Sequence, residues 1–474
     1  MVFSSLYFTF FFFPLIVILY YLSKEKYRNY ILLVASIYFY AYGEPIFVFV
    51  MIGSILINYV IALGISRVSN NENLLFAKAL LIVDIIVNIG ILFVFKYLDF
   101  SLSVSNYFFG TNFMIKNIPL PIGISFFTFQ ALSYVIDVYR KKVQVQKNLF
   151  YLALYISFFP QLIAGPIVRY SSIAQQITQR QYSLDKFADG LRRFLLGFCK
   201  KVILANNLSV VAGEIFDLDI PTANPMVLWL GSICFSLQIF YDFSGYSDMA
   251  IGLGKIFGFE FEENFNYPYM SKSITEFWRR WHISLGQWFR DYVYIPLGGS
   301  RASVPKHLIN MFVVWTLTGI WHGANYTFIA WGIGYFILLV IEKYIIRPEK
   351  RKNIVIRVTW QMITLICVNF GWVIFNSSSI KNGIKYCLSM IGYYGQTFLL
   401  DSSITRYGRE FGIYIFLGVL FATPIMKALK EKVNNSKYGN IIGIIEPVCY
   451  GVLFLWATSF IILGAHNPFI YFNF

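Results

Sequence analysis

Residues 45–66, PIFVFVMIGSILINYVIALGIS, contain no charged side chain. A stretch this long and apolar matches the roughly 20 residues that cross the hydrocarbon core of a bilayer. Similar blocks recur at 3–22, 75–95, 149–168, 227–241, 324–341, 355–375, 411–426 and 445–464, each nearly free of charge. Over 474 residues, 57% are hydrophobic and only 13% charged, about half the charged fraction of a soluble domain. A water-soluble fold of this size would expose large apolar patches. The expected class is therefore an all-α polytopic membrane protein. We expect one membrane domain over residues 1–474, with roughly 11–13 helices, some short or re-entrant.

Val2–Leu22 has no basic start and no small-x-small cleavage site, so it reads as a retained span and not a secretion signal. The formal net charge of +15 could suggest nucleic acid, but a nucleic-acid binder gathers its lysines on one soluble face. Here they fall in links between apolar blocks, at Lys24–Arg28, Arg140–Lys147, Lys343–Lys352 and Lys427–Lys437. That pattern places the links in the cytoplasm. The five cysteines lie scattered without metal-ligand spacing and read as packing residues.

Three stretches interrupt the pattern of plain spans. Pro119–Arg140 and Phe158–Tyr170 (FFPQLIAGPIVRY) carry Pro and Gly inside apolar sequence, and Asp242–Arg301 is charged and rich in Trp. Broken backbone at membrane depth is tolerated only inside protein or beside a water-filled cavity, so these stretches point to a buried polar site. Asp242 and Asp248 are expected to pair structurally with an arginine inside the bundle.

Two histidines stand out. His282 lies in SITEFWRRWHISLGQWFRDYVYIPLGGSR (273–301). On one continuous helix, Trp278, Trp281/His282, Leu285 and Trp288/Phe289 would share a face. Such a Trp- and Arg-rich helix also suits the membrane interface, and spacing does not separate the two readings. His322 lies in TLTGIWHGANYTFIAWG (316–332) without a charged neighbour. An ionisable residue within an apolar segment is by default a candidate functional group, although a histidine bonded to a helix carbonyl is its structural counterpart. Gly319, Gly323 and Asn325 beside it suit close approach of a ligand or helix. Neutral imidazole can take a proton from a hydroxyl, which makes His322 the candidate base for acyl transfer. No G-x-S-x-G elbow or H-E-x-x-H metal motif is present. Arg279, Arg280 and Arg290, with Trp281 and Asn325, are the candidates for binding a phosphate-bearing donor. His307 reads as a solvated loop histidine, and His466 is undecided.

The run FWRRWHISLGQWFRDYVYIPLGGSR, followed by GIWHGANYTFIAWG, resembles the membrane-bound O-acyltransferase family. It is most similar to the branch typified by bacterial alginate O-acetyltransferase. PLPIGISFFTFQALSYVIDVYR, FFPQLIAGPIVRY and DFSGYSDMAIGLGKIFGFEFEENFNYPY extend the resemblance over nearly the whole chain. The resemblance implies a ring of membrane helices around a central funnel or tunnel, with His322 at its centre and His282 as the second family histidine. It further implies acetyl-CoA as cytoplasmic donor, no tightly bound cofactor, and a bacterial cytoplasmic membrane. It also implies an extracytoplasmic esterase-like partner that acetylates a polysaccharide. The W-H-I-S-L core is shared with D-alanyl exporters, whereas Y-I-P-L-G-G at 294–299 is closer to the acetyltransferases. The terminal NPFIYFNF resembles an acyl-carrying aromatic tail of that D-alanyl system, which makes Tyr471 a candidate carrier; an aromatic interfacial belt is its plainer reading. A lipid O-acyltransferase and a transporter are the competing functions.

Overall fold

A computed structural model describes residues 1–350, 353–398, 402–436, 439–464, 467 and 470. All regular structure among these residues is helical. Seven helices are long and apolar enough to cross a membrane: Val48–Asn70, Leu74–Lys96, Leu184–Phe216, Pro225–Ile256, Tyr326–Ile346, Ile354–Asn376 and Ile445–Ile462. Ser402–Phe421 and Ile425–Asn434 form an eighth candidate, bent by 69° at the Thr423-Pro424 break. Phe8–Leu22 and Ile124–Tyr139 are apolar but shorter. The chain is thus a multi-pass membrane protein of helical class.

Local chemistry sets the boundaries. Asn73, Asn148, Ser273, Asn325, Asn353 and Ser379 each accept a backbone N–H in the first turn of the helix they open, which satisfies donors that a helix start leaves unpaired. The apolar block at 149–168 is interrupted, as its Pro and Gly residues imply. It breaks into Leu149–Ser157 and Phe159–Leu162, because Pro160 cannot donate to a ladder and Gly165 sits where a Cβ would lie 2.5 Å from Gln161 Cα. Leu184–Phe216 has the reverse history. Its charged first turns hide it from a search for charge-free blocks, yet it is a span-length helix.

The chain divides into two compact units, Met1–Phe194 with Ser247–Glu262, and Leu195–Tyr246 with Glu263–Phe474. In the first, Asn58 and Asn88 exchange side-chain hydrogen bonds of 3.1 and 3.2 Å between neighbouring helices. Asp248 meets Arg193 at 2.6 Å there, the expected arginine pairing. In the second, Asp242 pairs with Lys201 at 2.6 Å, a lysine where an arginine was expected, and both side chains are buried.

Also in the second unit, Val304–His322 and Tyr326–Val340 form an antiparallel pair in very close contact. A Cβ on Gly319 would lie 2.4 Å from the Phe328 carbonyl oxygen, and one on Gly332 would lie 2.4 Å from that of Trp315. Small residues at such a seam let backbones touch.

One carboxylate organises the stretch that follows Asp242. Buried Glu342 accepts from the backbone N–H groups of Ile274 (2.7 Å) and Thr275 (2.9 Å), from the Thr275 hydroxyl, and from the indole of Trp360 at 3.1 Å. Its charge faces the N-terminus of Ile274–Arg280, where the helix dipole favours an anion. Replacing Glu342 by Ala leaves these donors buried and unpaired. A loss of about 2–3 kcal/mol is expected, visible as a lower melting temperature in detergent, with Glu342→Gln intermediate. An Ala variant that melts like wild type would remove Glu342 from this role.

Candidate functional site

The sequence anticipates one helix through His282; the structure has two. Ile274–Arg280 and Ile283–Phe289 are separated by Trp281 and His282, the latter at φ 44°. A left-handed backbone costs a side-chain-bearing residue about 1–2 kcal/mol, so neighbouring bonds must enforce it. They come from Asn264. Its backbone carbonyl accepts from Ile283 N–H at 3.0 Å, and its side-chain oxygen accepts from the Ser284 N–H (3.2 Å) and hydroxyl (2.9 Å). The break buries both His282 and Trp281, at 2% exposure each, which removes the interfacial-helix reading.

The same bonds fix the histidine's tautomer. A backbone N–H can only donate, so the Asn264 atom facing Ser284 is the oxygen. His282 Nδ1 lies 3.2 Å from that oxygen and must donate to it, which leaves Nε2 as the lone-pair nitrogen. Burial, and then the nearby His322, hold the His282 imidazole well below its ordinary pKa. It is therefore neutral at physiological pH. The Phe243 ring packs edge-on against it at 4.6 Å.

His322 is the last residue of Val304–His322 and is 4% exposed. Trp321, Trp331 and Phe375 surround it, with ring centroids at 5.1, 5.1 and 5.3 Å. Trp278, Trp331 and Trp372 continue this aromatic wall. His282 and His322 both line one cavity of about 520 Å³, together with Trp278, Trp281, Arg279 and Arg290. Its volume is that of a small-molecule site. Arg279 and Arg290 are exposed at its edge, and Arg290 also pairs with Asp291 at 2.8 Å. The arrangement offers imidazole within apolar walls and guanidinium groups toward solvent.

Two other candidates lie off this lining. Arg280 is engaged by Glu276 at 2.7 Å and by the Asn266 carbonyl at 3.2 Å. Asn325 caps the next helix through the Thr327 N–H at 3.1 Å. His307 is not a solvated loop residue. It is 2% exposed in the first turn of its helix, with the hydroxyls of Tyr294 and Tyr344 each 2.7 Å from one ring nitrogen. Those partners lie 13 and 37 residues away in sequence, so local polarity misleads. Asn264, Phe243, Trp331, Phe375 and Glu342 were not singled out in sequence; only the uncharged Asn264 within the quoted acidic run offered a hint.

Tyr471 and His466 lie outside the described residues. Asn467 and Ile470 are described. Ile470 N–H donates to Asp242 at 2.7 Å, and the Asn467 side chain accepts from Asn206 at 3.1 Å. Asn206 in turn accepts from Lys201 at 2.9 Å. Ile470 is thus bonded to the residue preceding Phe243, whose ring packs against His282.

Comparison with known proteins agrees with this architecture. Residues 101–381 match the membrane-bound O-acyltransferase family. The chain is 44% identical to a probable alginate O-acetylase of Pseudomonas aeruginosa, over 80% of this chain and 73% of that protein. It is 32% identical to a peptidoglycan O-acetyltransferase of Helicobacter pylori, over 94% and 91% of the two chains. A teichoic acid D-alanyltransferase of Bacillus subtilis is 29% identical over 54% of this chain and 67% of its own. Matched over more than half its length, and with both histidines inside the matched region, the chain belongs to the membrane-bound O-acyltransferase family and is an O-acyltransferase.

Proposed function

We propose that this enzyme transfers acetyl from a cytoplasmic thioester, acetyl-CoA, to a hydroxyl, as the membrane step in O-acetylation of an exported polysaccharide. The observation that carries the reading is the single cavity lined by both His282 and His322 with Arg279 and Arg290 at its edge. Acetyl is favoured over D-alanyl because the acetylating relatives match most of the chain and the D-alanylating one about half.

His322 acts as general base. It takes the acceptor's hydroxyl proton as the oxygen attacks the thioester carbonyl carbon. The tetrahedral intermediate collapses by breaking the carbon–sulfur bond, and the proton passes on to the departing thiolate, which leaves as free thiol. His282, neutral and fixed by Asn264, orients the reacting groups across the cavity. Arg279 and Arg290 bind the donor's phosphates. Tyr471 is the immediate acceptor: its phenol, of ordinary pKa near 10, forms an ester stable enough to be handed on. The hydrogen bond from Ile470, the residue before Tyr471, to Asp242, which precedes the Phe243 that packs on His282, supports this role. An esterase-like transferase outside the bacterial cytoplasmic membrane then moves acetyl from Tyr471 to the polymer.

Membranes carrying this protein and supplied with radiolabelled acetyl-CoA should acquire covalent label, and His322→Ala should reduce it at least ~100-fold. Label from a long-chain acyl-CoA or a D-alanyl thioester in place of acetyl would overturn the donor assignment. Tyr471→Phe should abolish polymer acetylation while membrane insertion persists; normal acetylation would remove the carrier role. Asn264→Asp keeps acceptors for Ser284 but sets a carboxylate against His282 Nδ1, which raises that histidine's pKa. The acidic limb of the kcat/KM profile should then move to higher pH. An unmoved limb would mean that neutral His282 is not required.

A further inference from the structure

Arg28 and Arg180 lie in the first compact unit, remote in sequence from the histidine motifs, and share one aromatic frame. The Arg28 guanidinium carbon is 4.4 Å from the Tyr182 ring centroid, 5.2 Å from that of Tyr20 and 5.9 Å from that of Tyr21. That of Arg180 is 4.5 Å from Phe259 and 5.9 Å from the same Tyr20. The frame is rigidly held. Tyr20 is fully buried and donates to the Phe257 carbonyl at 2.7 Å, with the Tyr182 hydroxyl 2.9 Å away. Tyr21 donates to the Ile256 carbonyl at 2.6 Å. Buried Asn29 donates to the Ile177 carbonyl at 2.8 Å and accepts from Arg180 Nη2.

Charge in this frame is unbalanced. Arg28 has one carboxylate neighbour, Glu25 at 3.9 Å, whose side chain is 80% exposed while that of Arg28 is 13% exposed. No carboxylate lies within ion-pair distance of Arg180 among the described residues. Arg28 Nε and Arg180 Nη1 are buried and meet no hydrogen-bond acceptor there. Both guanidinium groups stand against the Tyr20 ring, and apart from Asn29 on Arg180 and the exposed Glu25 near Arg28, neither fork is engaged by an acceptor among the described residues. Aromatic faces offset part of this, but a ring accepts no in-plane N–H.

We infer that Arg28 and Arg180 form a binding site for a phosphate group. A tetrahedral phosphate has oxygen atoms enough to accept from both forks at once and carries the charge that two arginines call for. Arg28 ends the basic Lys24–Arg28 link that the charge distribution places on the cytoplasmic side. Phosphate is available there from anionic lipid headgroups and from soluble phosphate compounds. This site is independent of the proposed acetyl transfer and uses none of its residues.

The test uses the full chain purified in a neutral detergent, with native mass spectrometry and calorimetry. Probes are phosphatidylglycerol, phosphatidylcholine and inorganic pyrophosphate. Wild type should bind phosphatidylglycerol or pyrophosphate in preference to phosphatidylcholine, and Arg28→Gln/Arg180→Gln should weaken that binding at least tenfold. Preference for phosphatidylglycerol alone identifies the lipid source, and binding of pyrophosphate without lipid discrimination identifies the soluble one. Should the double variant fail to fold, Arg180→Lys keeps the charge, removes the fork and should still weaken binding. Equal binding of every probe by wild type and a folded variant would overturn the site.

Discussion

The side-chain oxygen of Asn264 is the point on which local conformation and chemistry both turn. By accepting from Ser284 twice and from His282 once, it stabilises a left-handed residue between two short helices and sets which imidazole nitrogen carries hydrogen. A carboxamide does this without charge. It therefore holds His282 in place without favouring the imidazolium, as a carboxylate would. Glu342 fixes the other end of the same segment. Between these two anchors, Trp278, Arg279, Trp281 and His282 are delivered to one cavity wall from consecutive turns.

The opposite wall is built on different principles. His322 ends a long helix and is surrounded by the rings of Trp321, Trp331 and Phe375. One histidine is placed by a polar network and the other within an aromatic shell. Two chemically identical rings thus meet different surroundings around one shared cavity.

Much of this was legible in the residues. Apolar blocks at 45–66, 75–95 and 355–375, with few or no charges, are span-length helices because apolar length is itself the physical criterion for crossing a bilayer. His322 could be selected because an ionisable group in apolar sequence demands a reason, and His282 because its motif resembles the family's second histidine motif. What could not be read was anything decided by a distant partner. The helix break at His282 depends on Asn264, the burial of His307 on Tyr294 and Tyr344, and the start of the 274–280 helix on Glu342. Leu184–Phe216 was hidden for the converse reason, since its early charges face partners that only the fold supplies. Asn325 and Arg280 look like ligand contacts in sequence because capping and local ion pairing draw on the same polar residue types.

The glycine seam between the two helices around His322 has a mechanical meaning. With carbonyl oxygens standing where side chains would otherwise intervene, nothing compressible separates the two backbones. The pair behaves as a single strut, and His322 inherits its stiffness. The segment carrying His282 reaches the same cavity differently, as two short helices tied at their ends by hydrogen bonds to Glu342 and Asn264.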